Sequence, residues 1–323
     1  MIPLTEIRAA AGRLAGRVHR TPLLSCRSLG APAGVLLHLK CESLQKTGSF
    51  KARGALHKLL SLTEAERARG VITVSAGNHA QAVAWAAATL GAPCTVVMPD
   101  DAPRSKLAAV GGYGARIVLH AERATLFEAL AREQERTGTV FVHPFDDPVV
   151  LAGAGTAGLE LVEQCPEVEA VLVPVGGGGL LAGVASAVKA LAPACRVVAV
   201  ELEAGPGLRP ALDAGRPIPV ARPKGTLADG MTPPFVGAIP LETARACVDE
   251  IVTVTERALA EAMVALARRA RLVVEGSGAA ATAALLSGAV RFPQGTRVAS
   301  LVSGGNVDDA RYAELLADAA RAG

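Results

Sequence analysis

The sequence predicts an α/β protein made of two parallel-sheet domains, each with three layers. Half of the 323 residues are apolar and 20% are charged, which is enough apolar material for a large buried core. Only 3% are aromatic, whereas small and aliphatic residues abound, as closely packed helices on buried sheets require. Short apolar strands also alternate with helical segments along most of the chain.

The first 24 residues, MIPLTEIRAAAGRLAGRVHRTPLL, predict an amphipathic helix that ends before Thr21 and Pro22. They contain no apolar run long enough for a signal peptide or a membrane span. A second helical spacing follows in FKARGALHKLL. We therefore expect no membrane partner.

A regular series of strands and helices occupies residues 70–147. The predicted strands are VITVS, CTVVMP, ARIVLH and TVFVHPF, and the predicted helices cover NHAQAVAWAAATLG and residues 103–110 and 126–136. Four strands joined by three helices indicate a compact parallel unit.

A second series starts after residue 148. It begins with a helix that includes GTAGLELVEQ, followed by the strand AVLVPV, the helix LLAGVASAVKALA and the strand RVVAVE. Further along come the strand EIVTVTE, a helix at 257–271, a helix opened by VVEGSG, and the strand RVASLVSGGN. Residues 205–240 are rich in Pro and Gly and too long for a routine connection, which indicates an active-site cover or a surface excursion.

Charge and cysteine usage restrict the partners. The net charge is +3 with both signs interspersed, so the sequence predicts no nucleic-acid partner. The six cysteines contain no Cys-x-x-Cys pair and lie mostly among apolar residues. We interpret them as reduced thiols of a cytoplasmic protein and predict no metal site.

Lys51, in the segment KTGSFKARGA, has an unusual setting for a lysine. It follows Phe50 and several small or hydroxyl-bearing residues, whereas surface lysines usually lie among other charges. Removal from water and from other charges lowers the pKa of a lysine and leaves its amine able to react. The setting therefore indicates a chemical role for Lys51.

The glycine run Gly176, Gly177, Gly178 and Gly179 lies between a buried strand and a helix. Glycines there permit positive φ and a close approach of the backbone, and N–H groups at a helix start attract phosphate. A flexible linker is the alternative. No Gly-Lys-Ser/Thr follows, and the Gly-x-Gly-x-x-Gly spacing is absent, so a nucleotide site is disfavoured.

A turn of the same placement contains Ser75, Ala76, Gly77, Asn78 and His79. Its N–H groups could hold a carboxylate, although Ser and Asn also cap helices without any ligand. His79 by itself is interpreted as structural. A third turn, SGGN at residues 303–306, ends a strand in the same way. Turns at the carboxyl ends of parallel strands, together with an isolated lysine, predict one shared crevice.

Seven motifs in this order carry a resemblance to a known family. They are KCESLQKTGSFKARGA, SAGNHAQ, HPFDDPVVLAGAGT, PVGGGGLLAG, LADGM, VEGSGAA and LVSGGNVD. The chain resembles the pyridoxal-phosphate enzymes of fold type II (tryptophan synthase β-like), most closely the threonine dehydratases (threonine/serine ammonia-lyases), with serine racemases next. The resemblance implies a large cofactor-binding domain from 1–62 and 148–323, a small inserted domain at 70–147, and pyridoxal 5'-phosphate in the crevice between them.

The resemblance also implies roles for individual residues. Lys51 would be the Schiff-base lysine, with Phe50 beside the cofactor ring. Asn78 would contact the 3-oxygen of the ring, Ser303 would face the pyridine nitrogen, and the glycine run at 176–179 would hold the phosphate. The turn at 75–79 would bind the substrate carboxylate.

The implied activity is removal of water from L-threonine or L-serine, followed by deamination to 2-oxobutyrate or pyruvate and ammonia. Racemases of the family carry a serine where this chain has Ala76, and a methyl group cannot transfer a proton. The alternatives are a serine racemase, a dehydratase for 3-hydroxyaspartate or phenylserine, and a sensing protein that binds an amino acid without turnover. A homodimer or homotetramer is expected.

The sequence departs from the family at several positions. Ala154 stands where many relatives have glutamine. Glu201 matches the first acidic residue of the metal-binding relatives, but Gly207 falls where an aspartate is expected, and Glu203 fits a surface position. Glu275 is expected near the cofactor or at a helix start. Only 17 residues follow Asn306, so a sensing domain at the C-terminus is not expected.

Overall fold

The computed structural model describes residues 1–321, which form helices and strands in regular alternation. The strands are β1 (Leu23–Ser25), β2 (Leu36–Cys41), β3 (Val71–Val74), β4 (Cys94–Pro99), β5 (Arg116–His120), β6 (Val140–Phe141), β7 (Ala170–Pro174), β8 (Arg196–Leu202), β9 (Glu250–Val254) and β10 (Arg297–Val302). The α-helices are α1 (Leu4–Leu14), α2 (Arg27–Gly30), α3 (Lys51–Ser61), α4 (Glu64–Arg69), α5 (Asn78–Thr89), α6 (Arg104–Gly111), α7 (Leu126–Thr137), α8 (Pro148–Gln164), α9 (Gly179–Leu191), α10 (Leu208–Ala214), α11 (Ala238–Cys247), α12 (Glu256–Ala265), α13 (Gly276–Leu286) and α14 (Asp309–Arg321).

The strands form two sheets. The larger has the order β1-β2-β10-β7-β8-β9, and the smaller has the order β5-β4-β3-β6. All neighbours are parallel except β1, which pairs antiparallel with β2 at the edge of the larger sheet. The predicted α/β fold with two parallel sheets is confirmed, with this one antiparallel edge as the exception.

Helices cover both faces of the larger sheet because its central strands are apolar on both sides. Along β7, Ala170 and Leu172 pack with residues of α12 and α13, while Val171 and Val173 pack with residues of α8, α9 and α11. The smaller sheet is covered in the same way. Residues of α5 and α6 pack on β4, and Leu130 of α7 packs on the other face.

Several predicted elements differ in their bounds. Helix α1 ends at Leu14, because Ala15 leaves the helical conformation with a ψ of 128°, and Gly16 then turns the chain with a positive φ of 71°. The stretch 205–240 contains α10 and a short 3-10 turn, Asp229–Met231. The helix predicted at 257–271 is α-helical only to Ala265 and continues as one π-helical turn, Leu266–Ala270.

No helix within residues 1–321 is long and apolar enough to cross a membrane. All six cysteines are free thiols. The strands of the smaller sheet all lie between residues 71 and 141. The division into a domain from 1–62 and 148–323 and a domain at 70–147 remains our proposal.

Candidate active site

The starts of α3, α5 and α9 meet the end of β10 in one crevice. Two backbone contacts join α3 to β10: the N–H of Phe50 donates to the carbonyl of Ser303 at 3.1 Å, and Ser49 forms an isolated bridge with Gly304. A side-chain hydrogen bond from Asn306 to Asn78 joins the start of α5 to the turn after β10, and a second one joins Asn78 to Glu275 at the start of α13. The crevice therefore collects residues from both sheets, as the turns at the strand ends predicted.

Lys51 is the first residue of α3, and Phe50 is its N-cap. The amine of Lys51 donates a hydrogen bond of 2.6 Å to the carbonyl oxygen of Pro144 and lies 5.0 Å from the centre of the Phe50 ring. Burial lowers the pKa of Lys51 to about 8. The uncharged share of this amine near neutral pH is therefore much larger than that of an exposed lysine, and the uncharged form is the one that a nucleophilic or basic lysine needs.

Asn78 is held by hydrogen bonds at both ends of its side chain. Its Nδ2 donates to Oε1 of Glu275 at 2.6 Å, and its Oδ1 accepts from Nδ2 of Asn306 at 2.7 Å. Asn306 also donates to the carbonyl of Thr47 at 2.7 Å, in the loop that leads to Lys51. Glu275 lies at the start of α13 as well as in the crevice, and burial raises its pKa to about 7.

The turn before α5 leaves donors free. Oγ of Ser75 accepts from the N–H of Gly77 at 3.1 Å, while the N–H groups of Ala76 and Asn78 donate to no acceptor within residues 1–321. The imidazole of His79 donates from Nε2 to the carbonyl of Val142 at 3.0 Å. Burial lowers the pKa of His79 to about 3, so the ring stays neutral.

The glycine run forms a tight loop at the start of α9. Gly178 has a φ of 87°, a conformation that favours glycine, and a Cβ on Gly177 would overlap the ring of Phe145. The N–H groups of Gly176, Gly177, Gly178 and Gly179 donate to no acceptor among the described residues. The loop thus has the close approach and the free donors of an anion cradle.

Ser303 follows β10 and is buried. Its hydroxyl donates a long hydrogen bond of 3.3 Å to the carbonyl of Ser277 in α13. A hydrogen bond of this length is weak. The hydroxyl is therefore available to another acceptor in the crevice.

The structure shows the environment of each position that departs from the family pattern. Ala154 is buried in α8 and lines a small cavity together with Lys51. Glu201 accepts hydrogen bonds from the N–H groups of Gly207, Leu208 and Arg209 at 2.6–3.1 Å, so its carboxylate caps α10. Glu203 is exposed. Within residues 1–321, no group of three or more His, Cys, Asp or Glu side chains could hold a metal ion.

Sequence reasoning missed a buried ionic cluster behind Lys51. Arg53, fully buried in α3, pairs with Glu42 at 2.7 Å and with Glu160 of α8 at 2.7 Å, and Lys40 pairs with Glu160 at 2.7 Å. The only local signal was an arginine two residues after Lys51, because the partners lie far apart in the sequence. The cluster fixes the first turn of α3 to β2 and α8.

Comparison with known proteins agrees with this geometry. Residues 14–304 match the model of a family described as pyridoxal-phosphate dependent enzymes. The L-threonine ammonia-lyase of Thermotoga maritima is 46% identical over 309 residues, which are 95% of this chain and 76% of that protein.

Two solved structures extend the comparison. One is the crystal structure of a threonine deaminase from T.th., whose sequence is 48% identical. The match covers 94% of this chain and 98% of the deaminase chain, with a TM-score of 0.88. The other is the structure of maize serine racemase, whose sequence is 37% identical. The match covers 98% of both chains, with a TM-score of 0.91. These findings confirm the resemblance seen in the motifs, and the chain belongs to the family of pyridoxal-phosphate dependent enzymes.

Proposed function

We propose that this protein is a threonine/serine ammonia-lyase that removes water from L-threonine or L-serine to give an enamine, which water then hydrolyses to 2-oxobutyrate or pyruvate and ammonia. The observation that carries the proposal is the amine of Lys51, held by one carbonyl at 2.6 Å beside the glycine loop and with its pKa lowered to about 8. The names of the compared lyase and deaminase support the choice of substrate.

The residues present fit pyridoxal phosphate. The free N–H groups of the glycine loop at 176–179 suit its phosphate, and the amine of Lys51 suits its carbonyl carbon. The hydroxyl of Ser303 and the side-chain amide of Asn78 would hold the ring nitrogen and the 3-oxygen. When bound, the cofactor delocalises the charge that develops at the substrate Cα.

The chain's own groups perform the remaining tasks. The free donors of the turn at 75–79 bind the substrate carboxylate and fix the direction of its Cα–H bond. The uncharged amine of Lys51 accepts the Cα proton. Ser303, which carries no charge, would donate a hydrogen bond to the ring nitrogen without protonating it, and this would favour loss of the β-hydroxyl.

Serine racemisation is the second candidate, because the maize racemase has a similar structure. It needs a proton donor opposite the lysine, and the side chain of Ala76 has none. We therefore rank elimination first. A methylene in a binding pocket discriminates by only about 1–3 kcal/mol, so we expect both serine and threonine to react.

The test is 2-oxo acid production by the yellow holoenzyme with L- and D-forms of serine, threonine, 3-hydroxyaspartate and phenylserine. We expect turnover with L-threonine and L-serine, and loss of at least about 100-fold in Lys51→Ala. Reaction of only another β-hydroxyamino acid would correct the substrate. If the protein binds the cofactor but no amino acid reacts or changes the cofactor spectrum, the lyase proposal falls and the sensing alternative gains support.

Assembly and location are also proposed. We infer a homodimer or homotetramer, since most soluble oligomers are symmetric homo-oligomers, and a cytoplasmic location, in which the six free cysteines would stay reduced. Light scattering coupled to size exclusion measures the first, and cell fractionation the second. A monomer, or recovery in an oxidising compartment, would contradict these inferences.

A further inference from the structure

A small apolar chamber lies on one side of the Lys51 side chain. Among the described residues, Lys51 itself is the one charged or polar side chain that lines it. Its walls come from α3, α8, the start of α9 and the segment before α8, and they consist of Phe50, Gly54, Pro144, Val150, Leu151, Ala154 and Gly179. A chamber of this composition does not hold water well, because water needs several polar partners.

The amine of Lys51 has little to stabilise a positive charge. Its hydrogen-bond partner within residues 1–321 is the carbonyl of Pro144, and no carboxylate there forms an ion pair with it. The nearby acids are engaged elsewhere: Asp146 accepts from the N–H groups that begin α11, and Asp147 pairs with Lys58.

The other titratable and dipolar groups around the amine supply no negative charge that would stabilise an ammonium ion. His79 of α5 and His143 after β6 face it, and burial lowers the pKa of both imidazoles. Lys51 begins α3, Gly179 begins α9, and both residues line the chamber, so two positive helix ends lie beside it. Neither helix end offers a lone pair or a negative charge to an ammonium ion.

Ala154 is the position where a polar group could enter. It is 2% exposed and lies in the middle of α8, whose residues Val150 and Leu151 form the rest of that wall. A longer polar side chain there would point an acceptor into the chamber beside the amine. The methyl group supplies none, and the chamber stays apolar.

We propose that Ala154 tunes Lys51: by closing the chamber with a methyl group instead of a polar side chain, it increases the share of the lysine amine that is uncharged and ready to react. Ala154 acts through Lys51 and is a positioning residue of the site, not a catalytic one. The claim that this matters for turnover rests on the proposed function. The protonation of the Lys51 amine can be measured whether or not that function is correct.

The test compares Ala154→Gln with Ala154→Met in the full chain. The two side chains have similar length and volume, so they differ mainly in polarity. Reductive methylation of the cofactor-free protein with formaldehyde and cyanoborohydride, followed over pH and read at Lys51 by peptide mass spectrometry, reports the pKa of the amine. The exposed Lys224 serves as the internal reference for the reagent.

We expect Ala154→Gln to raise the pKa of Lys51 by about one unit or more, which lowers the uncharged fraction at neutral pH about tenfold. Ala154→Met should leave it near its wild-type value. Ala154→Ser, a smaller change, should shift it in the direction of Gln if the longer variants fail to fold.

Equal shifts of the Lys51 pKa in Ala154→Gln and Ala154→Met would overturn the proposal, because the volume of the side chain and not its polarity would then determine that pKa. No shift in the Gln and Ser variants would also overturn it. Neither result would affect the ammonia-lyase proposal, which is tested separately by 2-oxo acid formation from L-threonine and L-serine in the wild-type protein.

Discussion

Asn78 donates a hydrogen bond of 2.6 Å to Glu275, across 197 residues of sequence and from one sheet's helix to another's. The same amide accepts from Asn306 at 2.7 Å, so its orientation is determined at both ends. A side chain fixed in this way presents its atoms to a ligand at little entropic cost. Glu275 is thus the partner that orients the side chain proposed to contact the cofactor ring.

The first prediction concerns the pH dependence of stability. Burial raises the pKa of Glu275 from its ordinary 4.5 to about 7, so the folded protein binds more protons than the unfolded chain between these values. This contribution to the unfolding free energy is present below about 4.5 and is lost as pH rises toward 7. Lys106 opposes the shift and Asp229 adds to it.

Glu275→Gln removes this titration but keeps an oxygen that can accept from Asn78. Urea unfolding of the cofactor-free protein between pH 4.5 and 7 should show a flatter dependence in Glu275→Gln than in wild type. Parallel curves for the two proteins would show that Glu275 is not proton-linked to folding in that window.

The second prediction concerns the glycine loop. In Gly177→Ala the new Cβ would overlap the ring of Phe145, so we expect a loss of about 1–3 kcal/mol in unfolding free energy and weaker retention of pyridoxal phosphate. The matched control is Gly12→Ala in the interior of α1, where a Cβ meets nothing within 4 Å. That change should stabilise the helix by about 0.5–1 kcal/mol. Wild-type cofactor affinity in Gly177→Ala would argue against the phosphate cradle.

The third prediction concerns the ionic cluster behind Lys51. Arg53→Met leaves Glu42 buried without its main partner, and breaking a buried pair in this way costs about 3–5 kcal/mol of stability. Denaturant unfolding measures the loss. Arg257→Met, which breaks an exposed pair with Glu261, should be nearly neutral. Similar effects of the two changes would mean that the cluster does not hold α3 in place.

The fourth prediction concerns the choice between elimination and racemisation. Ala76→Ser adds a hydroxyl that can carry a proton in the turn before α5. We expect this variant to gain measurable conversion of L-serine to D-serine, followed by chiral chromatography, while elimination continues. A variant that remains unable to form D-serine would show that the missing donor does not separate the two activities.

The fifth prediction concerns Ser303. Ser303→Asp places a carboxylate where the weakly committed hydroxyl now lies, which should favour a protonated ring nitrogen and slow elimination relative to wild type. The rate of 2-oxo acid formation from L-threonine measures the change, and Ser303→Thr, which keeps the hydroxyl, is its control. Undiminished elimination in the Asp variant would contradict the proposed role of Ser303.

Local patterns in the sequence determined much of this protein. The continuous apolar run of AVLVPV, the glycine run before α9 and the repeated succession of strands and helices are short-range signals, and they predicted the α/β fold and its turns. Lys51 was also visible, because its neighbours in the chain are themselves unusual for a charged residue. The short edge strand β1 and the strand β2 beside it were missed; the three residues of β1 give too little periodicity.

The tertiary structure decided what depends on contacts between distant segments. The pairing of Asn78 with Glu275 and Asn306, the cluster around Arg53, and the position of Ala154 beside Lys51 join residues that are separated by up to 228 positions. No local periodicity encodes such contacts, because they form only when the whole chain closes its loops and buries its helices. The sequence therefore determined which groups are available, and the packing of α3, α5, α8 and α13 decided which of them meet.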